Sequence, residues 1–294
     1  MKKYAPRLPR SKQTRPHGAP VRPSTDWLTG LHSVHEALRA GRRRIDRLLV
    51  REAGRHGEQE NLVALARAGG IPVEAVDDKV LDRLAGPDVR TQGVALQVGP
   101  LPELSLEDLI ADLRGAAESL DATEAASSTA TSSTASKGRR LVVLDGVEDP
   151  QNVGAIARVA ESAGCVGMIL TDRRAPALTP AVSRASAGAI EWLPVARVTN
   201  LVRALEQLKK ERYWVLAAAL ERSESIYSLP DRVLTGDLVV VLGAEGHGIR
   251  PGVLEQADHR VRIPMRGEVD SLNVATAGAV ILYELLRRAD RGRD

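Results

Sequence analysis

The chain has 294 residues, of which 43% are hydrophobic and 27% are charged. This composition is typical of a globular protein and argues against wholesale disorder, and the length predicts two domains, each with its own core. No apolar stretch approaches the roughly 20 residues that a membrane-spanning helix needs, and the N-terminus lacks the apolar core of a secretory signal. We therefore expect a cytoplasmic protein with no membrane partner.

Basic residues are spread unevenly, although the net charge is only +3. Between Lys2 and Arg22 there are seven Lys or Arg residues, no acidic residue and several prolines. Such a segment cannot bury a core, so residues 1–25 are predicted to form a disordered basic arm. The arm either binds polyphosphate nonspecifically or serves as a solubilising tail. Aromatic residues make up only 2% of the chain, which disfavours an RNA partner recognised mainly by base stacking.

One cysteine and two histidines are candidates for a chemical role. Cys165 is the only cysteine, and the apolar sequence around it predicts a buried packing thiol rather than a nucleophile. His32 and His35 have a spacing seen in metal sites, but no cysteine or third ligand accompanies them. The sequence therefore predicts no metal.

Helix and strand patterns alternate between residues 26 and 100. Strands are predicted at IDRLLVRE, IPVEAV and GVALQV, and helices at HSVHEALRAG, EQENLVALARAGG and DDKVLDRLAG. These elements predict a small α/β domain. The following residues, 101–138, are predicted to be a flexible linker, because 119–138 consist largely of Ala, Ser and Thr with no large apolar residue after Leu120.

A second α/β pattern occupies residues 139–290. Its predicted strands read LVVLDGV, VGMILTD, YWVLAAAL, DLVVVLGAE and HRVRIPM, and the helix after the first strand reads PQNVGAIARVAESAG. Continuous apolar strands predict a mainly parallel sheet with helices on both faces. Sites in such sheets lie at the carboxyl ends of the strands, where loops converge.

Three loops at these strand ends carry polar groups that suit a ligand site. The first leads into the helix with Asn152 and Arg158, where Asp149 or Asn152 is alternatively a helix cap and Arg158 a surface charge. The second, LGAEGHGIRP, is glycine-rich but lacks both the dinucleotide fingerprint and the Lys-Ser/Thr of a P-loop. In the third, IPMRGEVDSLNV, Ser271 or Asn273 is placed to cap the last helix, to face a ligand, or to do both.

The three motifs NVGAIARVAESAG, VVLGAEGHGI and IPMRGEVDSLNVATAGAVILYE, in this order, resemble those of the SpoU or TrmH group of RNA ribose 2'-O-methyltransferases. The resemblance spans about Leu141 to Arg288. GLHSVHEALRAG and TQGVALQV resemble the small substrate-binding domain that precedes the catalytic domain in this family. Many relatives have His at the position of Thr91, so an RNA contact by that His is not transferred to this chain.

The resemblance implies a SPOUT fold, in which the C-terminal segment forms a trefoil knot, and a small RNA-binding domain of the ribosomal L7Ae/L30e type. It implies S-adenosyl-L-methionine as cofactor, held by Gly243, Ile263 and Leu272, with Ala244, Gly246 and Met265 nearby. Its implied catalytic residues are Asn152, Arg158, Glu245, Ser271 and Asn273. No role is assigned to His247.

The family usually gives Arg158 the task of activating the ribose hydroxyl. A guanidinium effectively never loses its proton in proteins, so we expect Arg158 to stabilise the developing alkoxide or to clamp a phosphate. Glu245 or water would then accept the proton.

The resemblance also implies a homodimer that packs through the last helix. A plain core helix explains that helix equally well, since its small and apolar stripe consists of Ala275, Gly278, Ala279, Leu282 and Leu285. The expected substrate is structured RNA, most of all a guanosine of 23S ribosomal RNA. Transfer RNA, a ribosomal adenosine modified for antibiotic resistance, a non-catalytic RNA-binding assembly factor and a small-molecule oxidoreductase are the alternatives.

Overall fold

The computed structural model of the chain describes residues 26–52, 54, 57–86, 89–125 and 138–290. The predicted basic arm at residues 1–25 and the segment 126–137 of the predicted linker lie outside them. Among the described helices, none combines the length and the apolar character required to cross a membrane.

A four-stranded sheet forms the small unit, residues 26–98. Its strands are β1 Asp26–Thr29, β2 Ile45–Arg51, β3 Val73–Val76 and β4 Val94–Val98, and its helices are α1 Leu31–Ala40, α2 Gly57–Ala68 and α3 Asp78–Ala85. The strand order is β1-β4-β2-β3, with β4 antiparallel to both neighbours and β2 parallel to β3. Leu28, Leu48 and Leu96 are fully buried in its core.

Helix α4 corrects the predicted linker. It covers Leu106–Ala125, and Leu106, Leu109, Ile110 and Leu113 are buried in the core of the large unit, residues 138–290. These four positions recur at helical spacing, so one face of α4 is apolar. The linker prediction was wrong for Leu106–Ala125 because the low-complexity composition of 119–138 was extended to the residues before it.

Replacement of Leu109 by Ala tests the packing of α4. Leu109 is fully buried, so its truncation should leave a cavity and lower the free energy of unfolding by about 2–4 kcal/mol. Chemical denaturation would measure this change. Glu107→Ala, on the exposed side of the same helix, serves as the control. Equal stability of the Leu109 variant and the wild-type protein would show that α4 does not pack on the large unit.

The large unit contains a seven-stranded sheet in which every pair of neighbouring strands is parallel. The strand order is β7-β6-β5-β10-β8-β11-β9. The strands are β5 Arg140–Asp145, β6 Gly167–Thr171, β7 Val195–Val198, β8 Trp214–Ala218, β9 Glu224–Ser225, β10 Leu238–Gly243 and β11 His259–Arg262. The predicted parallel sheet is therefore confirmed, and the short strands β7 and β9 are added to it.

Helices cover both faces of this sheet. They are α5 Pro150–Ser162, α6 Pro180–Ala185, α7 Leu201–Lys210, α8 Asp231–Leu234, α9 Pro251–Leu254 and α10 Val274–Asp290. One apolar cluster contains residues of α5 and α10, and the other contains residues of α4, α7 and α9. Cys165 is buried in the first cluster, as predicted, and burial raises the pKa of its thiol to about 12.

The apolar stripe of α10 faces the core of its own chain. Leu282 and Leu285 are fully buried, and a Cβ added to Gly278 would lie 2.8 Å from Leu242 Cδ1. This packing favours the interpretation of α10 as a core helix over that of the stripe as a subunit interface. Among the other residues of α10, Tyr283 is half exposed.

Candidate functional site

A cavity of about 810 Å³ opens at the carboxyl ends of β8, β10 and β11 and reaches the N-terminus of α10. Nine residues singled out from the sequence line it: Gly243, Ala244, Glu245, Gly246, Ile263, Met265, Ser271, Leu272 and Asn273. The second and third predicted loops therefore meet in one cavity, which has the size and mixed apolar and polar lining of a small-molecule site.

The loop after β10 is held in place from β5. The Asp145 carboxylate is buried at the end of β5 and accepts hydrogen bonds from the main-chain nitrogen of Arg250 at 2.8 Å and from its Nε at 2.7 Å. Gly243 is required at the start of the loop, because a Cβ there would lie 2.3 Å from the carbonyl carbon of Gly248. The loop thus folds back tightly on β10 and forms one wall of the cavity.

Three polar side chains meet at the mouth of the cavity. Asn273 Nδ2 donates to Asn152 Oδ1 at 3.0 Å and to Glu245 Oε1 at 2.5 Å, and Asn152 Nδ2 donates to the same Glu245 oxygen at 3.2 Å. Each of the three residues comes from a different one of the predicted loops. The arrangement fixes the Glu245 carboxylate at the entrance.

Asn273 has two tasks at once. Its Oδ1 accepts from the main-chain nitrogens of Ala275 at 2.9 Å and Thr276 at 3.3 Å, which caps α10. Its amide nitrogen points to Asn152 and Glu245. The two sequence-based interpretations of this residue, a helix cap and a site residue, are therefore compatible. Of the two candidate caps for α5, Asp149 is the one whose side chain caps the helix, because it accepts from the main-chain nitrogen of Gln151 at 2.9 Å.

Arg158 does not line this cavity in its own chain. It is exposed on α5 and lines a second depression of about 360 Å³, together with His32, Glu36 and Trp192. The reason lies in helix geometry, since Arg158 follows Asn152 by six residues and so points to a different side of α5. The expectation that Arg158 lies beside the cofactor pocket is thus not met within one chain.

The sequence interpretation missed a fourth loop at the cavity. The cavity is lined by Ala218, the last residue of β8, and by Ala219, Leu220 and Glu221 after it, as well as by Asp270 in the third loop. Position at the carboxyl end of a predicted parallel strand was the signal that could have found the β8 loop. Glu221, Asp270 and Glu245 bring three carboxylates to the lining, and Arg262 brings one guanidinium.

The remaining candidates lie elsewhere or have other partners. His35 Nδ1 lies 2.8 Å from Glu36 Oε1, whereas His247 lines the main cavity. Within the described residues, no group of three or more His, Cys, Asp or Glu side chains is placed to hold a metal ion. Thr91 is buried, and its Oγ accepts from the main-chain nitrogen of Gly93 at 3.3 Å, so it has a structural partner.

Known proteins resemble both units of the chain. The family described as "SpoU rRNA Methylase family" matches residues 139–283, and "RNA 2'-O ribose methyltransferase substrate binding" matches residues 27–104. The chain is 35% identical over 262 residues to the 23S rRNA (guanosine-2'-O-)-methyltransferase RlmB of Pseudomonas putida, which covers 88% of this chain and 95% of that protein. The chain belongs to the SpoU methylase family.

Another relative with this name, from Photobacterium profundum, is 33% identical and covers 90% of the chain and 98% of its own length. Among solved structures, an AdoMet-bound rRNA methyltransferase from Sinorhizobium meliloti is 25% identical, with a TM-score of 0.65 over 90% of this chain and 87% of that one. The SpoU methyltransferase AviRb from Streptomyces viridochromogenes shares the fold, with a TM-score of 0.69 at 20% identity over 89% of each chain. The SpoU family resemblance identified from the three motifs is therefore confirmed.

Proposed function

We propose that this SpoU family member transfers a methyl group from S-adenosyl-L-methionine to a ribose 2'-hydroxyl of structured RNA. The observation that carries the proposal is the meeting of Asn152, Glu245 and Asn273 at the mouth of the cavity. A second support is that relatives of nearly the same length are named as enzymes of this reaction.

The residues present fit the proposed cofactor. Ile263 and Leu272 offer apolar contact to an adenine ring, and the compact turn at Gly243 leaves main-chain groups along the wall. The carboxylates of Glu221, Glu245 and Asp270 suit a ligand that carries a sulfonium and an ammonium group. When bound, S-adenosyl-L-methionine supplies an activated methyl group with a neutral thioether as leaving group, so the reaction needs no metal.

The chain's own residues have to position the ribose and take up its proton. Asn152 and Asn273 hold the Glu245 carboxylate by hydrogen bonds, and this carboxylate lies at the entrance where a ribose hydroxyl would arrive. We assign proton acceptance to Glu245, acting directly or through a water. Ser271, which also lines the cavity, is assigned to orient the bound methyl donor.

Arg158 is assigned to the cavity of a second subunit. It is exposed and lines a separate depression of its own chain, so a homodimer is required if it is to meet the reacting hydroxyl. Because its guanidinium keeps its proton, its task would be to stabilise the developing alkoxide or to clamp the adjoining phosphate. The half-exposed Tyr283 on α10 is available to such a dimer contact.

Replacement of Glu245 by Gln tests the proton acceptor. Gln keeps a carbonyl oxygen for Asn273 and Asn152 but cannot accept a proton, so the rate should fall by about 10²–10⁴-fold and the acidic limb of the pH–rate profile should disappear. Single-turnover methyl transfer between pH 5 and 10 measures this, and Arg158→Lys is compared in the same series. An unaltered profile in Glu245→Gln would remove this carboxylate as the acceptor.

Among RNA substrates, we infer a guanosine of 23S ribosomal RNA, because relatives that match nearly the whole chain carry that activity in their names. Labelled S-adenosyl-L-methionine offered with separate ribosomal and transfer RNA pools tests the choice. Incorporation into large-subunit ribosomal RNA is the expected result. Incorporation into transfer RNA alone would favour the alternative transfer-RNA enzyme.

The proposal extends to fold details and to the place where the protein acts. We propose that the polypeptide forms the trefoil knot around the cavity, that residues 26–100 act as an L7Ae/L30e-type RNA-binding domain, and that residues 139–290 form the SPOUT methyltransferase domain. The match of residues 27–104 to a substrate-binding family supports the second point. Action on ribosomal RNA implies a cytoplasmic enzyme.

The non-catalytic assembly factor is the competing function. Its test is a titration with S-adenosyl-L-methionine, because a pure scaffold has no reason to bind this molecule. Calorimetric binding at micromolar strength supports the enzyme, and absence of binding would favour the scaffold.

A further inference from the structure

The small unit is held against the large unit by a closely packed contact. Helix α1 lies on the turn before the 3-10 helix Ala189–Glu191, where Gly188 has a φ of +86°. A Cβ added to Gly188 would lie 2.6 Å from the Cβ of Glu36 on α1. Only glycine suits this position, because the backbone there is left-handed and a side chain of the other unit lies too close for a Cβ.

A buried ion pair crosses the same contact. The side chains of Arg43, in the small unit, and Glu191, in the large unit, are each 1% exposed. Arg43 Nε donates to Glu191 Oε2 at 2.9 Å, and Arg43 Nη2 donates to the other carboxylate oxygen and to Ser183 Oγ at 3.0 Å. Arg43 Nη1 also donates to the carbonyl oxygen of Gly99 at 3.3 Å. This enclosed ion pair opposes separation of the two units, because separation would leave each charge without its partner.

Half-buried groups complete the contact around this pair. Arg42 Nη1 donates to the carbonyl oxygen of Leu193 at 2.9 Å, and Trp192 Nε1 donates to Glu36 Oε2 at 2.7 Å. The guanidinium of Arg39 lies 5.5 Å from the centre of the Trp192 ring. Burial alone would raise the pKa of Glu36, but hydrogen bonds with His35 and Trp192 outweigh it and lower the pKa, so this carboxylate is charged at neutral pH.

The contact continues to the helix that carries Arg158. Helix α6, which contains Ser183, packs on α5 so closely that a Cβ added to Gly154 would lie 2.4 Å from the Cβ of Ala185. His32 and Glu36 of α1 line the same depression as Arg158. The small unit therefore lies beside Arg158 and is attached to the face of α5 away from its own chain's Asn152.

We propose that the small unit and Arg158 of one chain act as one body, so that RNA held by the small unit is presented to the cavity that Arg158 serves. This inference rests on the proposed function, which places Arg158 at the cavity of a second subunit. In the dimer, each small unit would then deliver RNA to its partner's cofactor site. Arg43 and Glu191 are positioning residues in this arrangement, since they touch neither cofactor nor reacting atoms.

The first test separates the two units without touching the cavity. Arg43→Met leaves Glu191 buried without its cation, which should open the contact and speed amide hydrogen exchange in α1 and Ala189–Glu191. We expect kcat/KM for RNA to fall by about 10²-fold, because small displacements of a substrate cost this much. Affinity for S-adenosyl-L-methionine should stay unchanged.

The double variant Arg43→Met/Glu191→Met is expected to restore the contact and serves as the rescue experiment. Two apolar side chains can refill the contact without a buried charge, so slow exchange and the RNA methylation rate should return together. Arg47→Met is the matched control, because the ion pair with Glu74, the hydrogen bond to Gln97 and the contact with the Trp27 ring that it loses all lie within the small unit. A methylation rate equal to wild type in Arg43→Met, with exchange showing an open contact, would overturn the proposal. Arg42→Ala replaces Arg43→Met if that variant does not fold.

The second test uses heterodimers isolated by two affinity tags. One chain carries Arg158→Ala and keeps its cavity, and the other carries Asn273→Ala and supplies Arg158. Added to the Asn273→Ala chain, Arg43→Met should lower methylation by about 10²-fold. Added to the Arg158→Ala chain, it should leave the rate unchanged. Equal loss in both placements, or loss only in the second, would overturn the proposal.

Controls distinguish failure of this inference from failure of the proposed function. The heterodimer without Arg43→Met should be active, and its inactivity would count against Arg158 acting on a second subunit. In that case the exchange and methylation measurements on Arg43→Met and its rescue still decide whether docking of the small unit governs the use of RNA.

Discussion

Arg158→Ala is expected to lower the rate of methyl transfer by about 10²–10³-fold, the loss typical for removal of one group that stabilises developing negative charge. The affinity for S-adenosyl-L-methionine should not change, because the proposal assigns Arg158 to the ribose hydroxyl and its phosphate rather than to the cofactor. Single-turnover transfer to RNA and calorimetric titration of the cofactor measure the two quantities separately. Arg203→Ala, an exposed arginine on α7, is the matched control.

The same variant also tests the assignment to a second subunit. Homodimers of Arg158→Ala and of Asn273→Ala should both be nearly inactive, whereas their heterodimer contains one complete site. Activity in the heterodimer is therefore expected to approach that of one wild-type site. A heterodimer as inactive as its parents would contradict the assignment, and wild-type activity of the Arg158→Ala homodimer would remove Arg158 from the reaction altogether.

Gly243→Ala is expected to weaken binding of S-adenosyl-L-methionine by about 10–100-fold, from the 1–3 kcal/mol that an overpacked side chain costs. A Cβ at Gly243 would lie 2.3 Å from the carbonyl carbon of Gly248 and 2.4 Å from the nitrogen of Ile249. Both atoms belong to the main chain, so the loop that forms the cavity wall has to move. Equilibrium titration followed by tryptophan fluorescence or calorimetry measures the effect.

Gly252→Ala is the matched control for this prediction. It lies nine residues further along, in α9, and a Cβ there would lie 3.7 Å from Val202 Cγ2, which is ordinary contact. Its cofactor affinity should equal that of the wild-type protein. Wild-type affinity in Gly243→Ala as well would show that the loop after β10 is not a wall of the cofactor site.

The sequence was sufficient to predict the parallel sheet and two of the loops that meet in the cavity. Continuous apolar strands such as β5 and β10 have few alternatives to burial on both faces, and loops at their carboxyl ends must converge. The loop after β8 was not predicted, because Ala219 and Leu220 carry no polar side chain and one carboxylate, that of Glu221, does not mark a site by itself. Its place at the cavity depends on tertiary packing.

Two other features, the side of α5 that Arg158 faces and the contact between the two units, depend on tertiary packing rather than on residue type. The three motifs identify Arg158 as a family position, but which side of α5 it faces follows from the packing of α6 and α10 around that helix. The contact between Arg43 and Glu191 joins residues 148 positions apart, and no local pattern indicates it.

In α4, the apolar spacing of Leu106, Leu109 and Leu113 was present in the sequence, but the composition of the residues that follow led to the prediction of a linker.

The most direct measurement for the central claim is the chemical identity of the methylated nucleoside. The wild-type protein is incubated with labelled S-adenosyl-L-methionine and large-subunit ribosomal RNA, the RNA is digested to nucleosides, and the labelled product is identified by mass spectrometry. We predict a single product, 2'-O-methylguanosine, that forms at least about 10²-fold more slowly with Glu245→Gln and with Arg158→Ala. A label on a base, or no label in any RNA despite bound cofactor, would contradict the proposed function.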